Sequence, residues 1–378
     1  MTTSNWNTTR LGEVLVLGSG ETKPADTQAL PDGSRTIPVY GGNGISGFTA
    51  ASFIDRTTLV IGRVGEYCGS VHLVSPPAWI TDNALFVKKW NGNHSVEYFG
   101  YLLDHLNLSR LRNKGGQPLI SQKPIYALEV QLPSHDEQVA IATRLATWDR
   151  GIRQLSGLIV ARLRFKQGLM QQLLTGRRRF PQFKDEWKQL RVGDIAHEVS
   201  ERNGHGAAVP VLSCTKHDGL VDSLKYFGKQ VFSDDTSNYK IVRRQDFAYA
   251  TNHIEEGSIG LLTESDAGLV SPMYTVFRTN DEVLPEFLYR LFKTETYRQI
   301  FASFTSASVN RRGSLRWRQF ATIPLSLPNL AEQKRIDDAL ASLDKEIALL
   351  RKQQDALKQQ KKGLMQKLLT GQVRVKVR

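Results

Sequence analysis

The sequence predicts an α+β protein in which two globular domains are each followed by a long helix. Three observations predict this class: a repeated segment, a helical heptad pattern inside it, and strand-like stretches before it. Residues 132–176 align without a gap with residues 327–371 at an offset of 195, and 20 of the 45 positions are identical. Because this period is far too long for a solenoid, each copy is a domain with its own helix.

The duplication also sets the predicted domain boundaries. We expect globular domains at residues 1–131 and 180–326, and helical segments at residues 132–179 and 327–378. The globular segments open alike, with Trp6 in the first and Trp187 in the second. Their middles carry strand-like stretches around Gly-rich turns, and a short helix then follows in each. The loops between these elements differ, which is typical of related scaffolds that bind different ligands.

The repeated segments predict two long helices. Ser134 to Glu137 and Asn329 to Glu332 fit a capping box, and Gly176 and Gly371 fit the position just past a helix end. Between them, apolar residues recur at spacings of three and four in one register: Ile141, Leu145, Trp148 and Ile152, then Ile336, Leu340, Leu343 and Ile347. We expect helices of roughly 50 Å that form an antiparallel two-helix coiled coil within one chain. The globular domains would then lie at opposite ends, related by a pseudo-two-fold axis, and pairing between two copies of the chain is the alternative.

Two features depart from a regular heptad seam. Polar side chains occupy core-type positions at Arg162, Lys166, Gln354 and Lys361. Gly168 and Gly363 lie inside the predicted helices, where each glycine costs about 1 kcal/mol. The recurrence of the glycine in both copies predicts a close helix approach or a kink.

The net charge of +13 favours an anionic partner such as nucleic acid. Residues 132–179 carry 9 basic and 3 acidic side chains, and residues 332–378 carry 12 and 6. The excess therefore lies in the helices and their tails, and we expect DNA-backbone or partner contacts to be concentrated there. Two cysteines without metal-binding spacing, no signal-peptide pattern and no membrane-spanning apolar run predict a reduced, cytoplasmic protein.

Polar and basic loops of the globular domains are the candidate nucleic-acid contacts. Arginine and lysine bind phosphates, and arginine, asparagine and glutamine also bind base edges. Glycine-rich turns add close backbone approach. The alternative is that these are solvated loops with scattered charge. The candidates are Tyr40, Asn43, Arg63, Tyr67, Arg110, Arg112, Lys114 and Gln117 in the first half, and Thr251, Asn252, Ser308, Asn310, Arg311, Arg312 and Arg316 in the second.

Motifs for catalysis are missing from the sequence. It has no phosphate-binding P-loop, no dinucleotide fingerprint and no Asn-Pro-Pro-aromatic stretch of amino-methyltransferases. Glu186-Trp187-Lys188 matches only half of a nuclease motif, and its tryptophan belongs to the repeated domain start. We therefore predict no catalytic residues, no metal site and no enzyme activity.

Two divergent domains alternating with helices that begin LPxxxEQ and end GLMQ(Q/K)LLTG resemble the specificity subunit of type I restriction–modification systems. The resemblance covers essentially the whole chain. It implies target recognition domains that each read one half of an asymmetric bipartite DNA sequence, and helices that set the spacing and dock two methyltransferase subunits. Motor-nuclease subunits would complete the complex. S-adenosylmethionine, ATP and Mg²⁺ would be bound by those partners, and no cofactor by this chain. The alternatives are a coiled-coil scaffold without nucleic-acid specificity and a self-sufficient methyltransferase or nuclease.

Overall fold

The computed structural model of the chain describes residues 6–113, 115–204, 206, 209–306 and 314–376. These residues form two compact units. Unit 1 comprises Met1–Gly157 and Arg351–Arg378, and unit 2 comprises Leu158–Leu350. Both boundaries fall inside long helices, so each unit contains the start of one long helix and the end of the other.

Unit 1 is built on two-, three- and four-stranded sheets, and the first long helix follows its last strand. A short 3₁₀ helix covers Leu108–Leu111. The elements in chain order are β1 (Asn7–Arg10), α1 (Leu11–Val14), β2 (Leu15–Ser19), β3 (Ile37–Gly41), β4 (Gly44–Thr49), β5 (Thr58–Gly62), β6 (Val71–Val74), β7 (Trp79–Ile80), β8 (Ala84–Trp90), α2 (Val96–His105), α3 (Gln122–Tyr126), β9 (Glu129–Leu132) and α4 (His135–Leu173).

Unit 2 has a four-stranded sheet and three two-stranded sheets, and the second long helix begins in it. A 3₁₀ helix covers Ile254–Glu256. Its elements are β10 (Lys188–Arg191), α5 (Val192–Ile195), β11 (Ala196–Val199), β12 (Leu212–Thr215), β13 (Gly219–Asp222), α6 (Ser223–Phe227), β14 (Lys240–Arg243), β15 (Phe247–Ala250), β16 (Ile259–Leu261), β17 (Ala267–Val270), β18 (Tyr274–Thr279), α7 (Pro285–Phe292), α8 (Glu295–Ser306), α9 (Trp317–Phe320), β19 (Pro324–Leu327) and α10 (Leu330–Leu369).

The two units share one scaffold. In each, the opening strand pairs antiparallel with the strand before a long helix, β1 with β9 and β10 with β19. The four-stranded sheets have corresponding orders, β2-β8-β5-β6 and β11-β18-β15-β16. The short helices predicted after the strands are α2 and α7. The related scaffolds expected from the sequence are therefore present, and the smaller sheets around them differ.

The apolar seam of each long helix contributes to a globular core. Ile141 and Leu145 of α4 are fully buried in the core of unit 1, together with Leu368 of α10. Ile336 and Leu340 of α10 are buried in the core of unit 2. Burial of such side chains stabilises the folded state by roughly 1.5–3 kcal/mol each. The long helices are thus integral to both cores.

The polar residues in the seam have partners on the other long helix. In unit 1, Gln354 Nε2 donates to Ser156 Oγ at 2.6 Å, and Lys361 Nζ donates to Asp149 Oδ1 at 2.6 Å. In unit 2, Arg162 Nε lies 2.8 Å from Glu346 Oε1, and Lys166 pairs with Asp344. Within each unit the residue numbers of the partners run in opposite directions, so the segments of α4 and α10 in that unit run antiparallel to each other. Polar pairs at seam positions specify register, because a shift would leave each without its partner.

The interpretation of the interior glycines as a close helix approach is wrong. A Cβ atom built on Gly168 or Gly363 meets no atom within 4 Å, and both helices continue through these positions. Gly176 and Gly371, just past the helix ends, have φ of +69° and +71° and fit the predicted left-handed position. Within the part of the chain that the structure describes, no helix is long and apolar enough to cross a membrane.

Candidate nucleic-acid interface

Two turns and a loop of unit 1 enclose a cleft of about 660 Å³. Asn43 lies on the β3–β4 turn, Tyr67 on the turn after β5, and Gln117 on the loop before α3. All three side chains are exposed, Tyr67 by 54%. Three residues predicted from separate parts of the sequence therefore line one concave surface.

Glycines let the turns of unit 1 approach this closely. A Cβ atom at Gly62 would lie 2.5 Å from the carbonyl oxygens of Gly42 and Tyr67, so a side chain there would push the two turns apart. Gly69 has φ of +94°, and its Cβ would lie 2.4 Å from the backbone nitrogen of Ser109. These positions need glycine both for space and, at Gly69, for backbone conformation.

The basic loop of unit 1 is tied to the turn after β5 by backbone hydrogen bonds. The Ile120 amide donates to the Arg63 carbonyl at 2.9 Å, and the Gly65 amide donates to the Pro118 carbonyl at 2.9 Å. Arg110 and Arg112 are exposed at the base of this loop. Lys114 lies outside the described residues.

Arg63 and Tyr40 lie outside the cleft lining. Arg63 Nη1 donates to Ser19 Oγ at 3.2 Å, and Arg63 lines a separate hollow of about 470 Å³ that also contains Lys123. Tyr40 packs against a small apolar core beneath the sheet that contains β3, and burial raises the pKa of its hydroxyl. The turn Arg63–Tyr67 thus separates the cleft from a basic hollow.

In unit 2 the corresponding turn is held in the same way. The Leu315 amide donates to the Thr251 carbonyl at 2.8 Å, as Ile120 does to Arg63 in unit 1. Thr251 Oγ1 also donates to the Met273 carbonyl at 3.2 Å. Asn252 is half-buried beside Thr251, and Arg316 is exposed at the start of α9. Ser308, Asn310, Arg311 and Arg312 lie outside the described residues.

The hairpin turn of unit 2 is built differently from that of unit 1. Its residues Lys216, His217 and Asp218 line a hollow of about 590 Å³. Lys293, which follows α7, donates from Nζ to the carbonyls of Lys216 at 3.0 Å and Gly257 at 2.8 Å, and burial lowers the pKa of this ammonium. Sequence analysis missed Lys216 and His217, although their place between the short strands β12 and β13 corresponds to the β3–β4 turn.

A buried glutamate anchors the start of each long helix. Glu137 accepts from Trp6 Nε1 at 3.2 Å and binds the Arg374 guanidinium through two bonds of 2.7 Å. Those bonds hold the pKa of the Glu137 carboxyl below its usual range, against the opposing effect of burial. In unit 2 the same arrangement joins Glu332, Trp187 and Arg179, with bonds of 3.3, 2.9 and 2.7 Å.

These anchors correct the predicted capping boxes in part. The backbone amides of Glu137 and Glu332 do donate to Ser134 Oγ and Asn329 Oδ1, at 3.4 and 3.0 Å. The two carboxylates, however, bind tryptophan and arginine instead of closing the box. The role of Trp187 in unit 2 agrees with its interpretation as part of the repeated domain start.

The glutamine after each anchor fixes a short helix. Gln138 Oε1 accepts from the amide of Ser95, the residue that caps α2, at 3.1 Å. Gln333 Oε1 accepts from the amide of Leu284, which precedes α7, at 2.8 Å. The repeated Glu-Gln pair therefore positions the globular domain on its long helix, which explains why both copies begin alike.

The expectation that the tails supply free basic residues needs correction at two positions. Arg179 and Arg374, which follow the two long helices, are bound to buried glutamates. Their neighbours Arg177 and Arg178 are both exposed on the tail of α4, and their charges remain for other contacts. The basic surface is therefore smaller than the charge count indicates.

One group of side chains has metal-ligand geometry. Among the described residues, His253, Glu255 and Glu256 have ligand atoms that all lie within 4.8 Å of one another. His253 and Glu256 are exposed. Exposed carboxylates are common without a metal, and we assign no ion to this group.

Comparison of the sequence with models of known protein families identifies the family of the chain. The sequence model of the type I restriction modification DNA specificity domain matches residues 3–159 and 184–359, one match for each copy of the repeat. The chain belongs to this family. The two matches cover both globular domains and most of both long helices.

Curated members of the specificity-domain family are similar over parts of the chain. The type I restriction enzyme EcoprrI specificity subunit of Escherichia coli is 29% identical over 140 residues, which are 37% of this chain and 35% of that protein. The MjaVIII specificity subunit of Methanocaldococcus jannaschii is 25% identical over 286 residues, covering 69% of this chain and 66% of its own length. The chain thus matches between one third and two thirds of these relatives.

Solved structures share the fold over nearly the whole chain. The type I restriction–modification S subunit from M. genitalium superimposes with a TM-score of 0.62 at 15% identity, covering 98% of each chain. A chain from a structural study of complex assembly and conformational transition of the type I system gives a TM-score of 0.59 at 15% identity, covering 98% of this chain and 99% of that one. The scaffold is therefore that of this family.

Proposed function

We propose that the chain is the DNA sequence-recognition subunit of a type I restriction–modification complex and acts in the cytoplasm. One observation carries the proposal: a duplicated scaffold with matching anchors presents different polar turns in its two copies. Glu137 and Glu332 bind the same residue types, whereas the hairpin turns carry Gly-Asn in one unit and Lys-His-Asp in the other. A shared scaffold with different residues at the contact surface is expected of two domains that recognise different DNA sequences.

The two globular domains, residues 1–131 and 180–326, would each read one half of a bipartite target. Their apolar cores are separate clusters, each closed by its own sheet and short helix. Independent cores allow the turns of one domain to change without disturbing those of the other. Because the turns differ, the two half-sites should differ, and the target should be asymmetric.

The helical segments, residues 132–179 and 327–378, would form an antiparallel coiled-coil spacer with the recognition domains at its ends. Support comes from the polar pairs inside each unit, Asp149 with Lys361 and Asp344 with Lys166, which fix the register of the helices. A register fixed by such pairs gives a spacer of constant length. Constant length would set the number of base pairs between the half-sites.

Two methyltransferase subunits would dock on the repeated helices, one for each copy, and motor-nuclease subunits would complete the complex. The repeat supports this arrangement because equivalent surfaces bind equivalent partners. The chain itself would be non-catalytic. S-adenosylmethionine, ATP and Mg²⁺ would be bound by the partners, and the sequence of this chain offers no motif for any of them.

The test is duplex binding by the chain in complex with its methyltransferase subunits. We expect one bipartite sequence to bind at least about a thousandfold more tightly than unrelated DNA, with affinity falling steeply as salt rises because phosphates are neutralised. Duplexes with either half-site scrambled are the control. Lack of binding at low salt would support a protein scaffold instead, and DNA methylation or cleavage by the isolated chain would show an enzyme.

A further inference from the structure

A buried hydroxyl without a partner lies at the floor of the unit 1 cleft. Thr81 is 4% exposed, and its Oγ1 has no hydrogen-bond partner among the described residues, although it lines the cleft. Thr58, in the same unit, is 3% exposed, but its Oγ1 donates to the Val87 carbonyl at 2.8 Å. A buried polar atom left unsatisfied destabilises the fold unless a ligand or an ordered water binds it.

The chemistry of the cleft suits base edges better than phosphates. Its charged side chains, Lys23 and Glu66, have opposite signs, so the lining has no net charge. The other polar groups are amides and hydroxyls: Asn43, Asn83, Gln117, Ser46, Tyr67 and Thr81. Phosphate sites are basic, whereas asparagine and glutamine amides match the N6 and N7 edge of adenine in a bidentate manner.

Two basic residues line the second hollow instead of the cleft. These are Arg63, which precedes the cleft-lining residues of its turn, and Lys123. Arg63 Nε is buried without a hydrogen-bond partner among the described residues, and an anionic oxygen would satisfy it. One turn thus separates a neutral, amide-lined surface from a cationic one, which is the division expected between reading bases and positioning the DNA backbone.

We propose that the unit 1 cleft reads one adenine–thymine pair of its half-site, through the amides of Asn43 and Gln117 and through Thr81 acting by an ordered water. The inference rests on the proposed function and names the residues and the base pair on which it would act. Arg63 and Lys123 contact phosphates beside it. Water-mediated contacts can carry sequence specificity in protein–DNA interfaces, and a half-open cleft of this volume has room for water between Thr81 and a base edge.

The test compares two isosteric variants of the chain in complex with its methyltransferase subunits. Thr81→Val removes an unsatisfied hydroxyl, so the melting temperature should stay constant or rise, while discrimination at one base pair falls about three- to tenfold, as for one lost hydrogen bond. Thr58→Val removes a satisfied hydroxyl, so the melting temperature should fall and discrimination stay constant. Asn43→Ala and Gln117→Ala should each lower discrimination at that same base pair by about tenfold.

Each outcome is decisive when binding is measured on a set of duplexes that differ from the target at single base pairs, over a range of salt. Relaxed specificity at one pair with an unchanged salt slope supports base reading. Equal weakening of all sequences with a salt slope reduced by about one would show a phosphate contact and overturn the proposal. Unchanged specificity in all three cleft variants would also overturn it. If the unmodified complex binds no sequence preferentially, the proposed function fails instead.

Discussion

The start of each long helix and the hairpin turn of each globular domain differ in how much the two units share. At the helix start, Glu137 and Glu332 bind tryptophan and arginine with bonds between 2.7 and 3.3 Å. At the hairpin, unit 1 presents Asn43 to a neutral cleft, whereas Lys293 clamps the turn of unit 2 to α7. The two units therefore attach the domain to the long helix through the same contacts, whereas their hairpin turns present different surfaces.

The largest expected effect comes from removing the shared contacts at the helix starts, and it is a loss of folding stability. Glu332→Ala should lower the free energy of unfolding by about 3 kcal/mol, because charge-assisted hydrogen bonds to a buried carboxylate are lost. Glu137→Ala should have a smaller effect, since the Arg374 side chain is 44% exposed and can be hydrated, compared with 24% for Arg179. Urea denaturation of the three proteins measures the difference. No loss in either variant would contradict the anchor role, and equal losses would contradict the argument from the exposure of the two arginines.

A second prediction concerns the stability of the protein at acidic pH. Glu137 has its pKa lowered from 4.5 in the folded state, so its stabilising contribution is complete above that value and is lost as pH falls through the folded pKa. The melting temperature of the unmodified protein should fall as the pH drops below 4.5 and through the lowered pKa of Glu137, and Glu137→Gln should flatten that loss. Glu13, which is exposed, offers the control substitution Glu13→Gln. If Glu137→Gln loses melting temperature with falling pH as the unmodified protein does, this explanation is wrong.

The sequence predicted the parts of the fold that depend on local pattern. The heptads and the glycines past the helix ends located α4 and α10, because helix periodicity and capping are read from neighbouring residues. The anchors escaped notice because Glu137 meets residues 131 and 237 positions away. The polar seam residues looked like defects for the same reason, since Lys361 finds Asp149 only after folding.

The candidate site was predictable by residue type but not by orientation. Asn43, Tyr67 and Gln117 do line one cleft. Arg63 begins the turn after β5 and Tyr40 lies near the end of β3. Arg63 nevertheless lines a separate hollow, and Tyr40 packs on a small core. The face to which a side chain points depends on the alternation along its strand. The sequence does not show where that alternation begins when the geometry of the preceding turn is unknown. Thr81 carried no sequence signal, because only the folded structure shows that its buried Oγ1 lacks a hydrogen-bond partner among the described residues.

The smallest effect is expected at exposed arginines, one in each unit. Arg112→Ala and Arg316→Ala should each weaken DNA binding by the complex for all sequences alike and lower the salt slope by about 0.9, as for one phosphate contact. Titrations at several salt concentrations, with target and scrambled duplexes, measure both quantities. A change in preferred sequence in either variant would instead identify that arginine as a base reader.

The central claim, that the two domains read independently on a shared scaffold, is tested most directly by exchanging residues 1–131 for the corresponding domain of a relative with a known target. The methylated motif is then mapped by sequencing the DNA of cells that carry the hybrid chain with its methyltransferase. We predict that one half of the motif changes to that of the relative, while the other half and the spacing stay constant. A change in both halves, or in the spacing, would contradict the account.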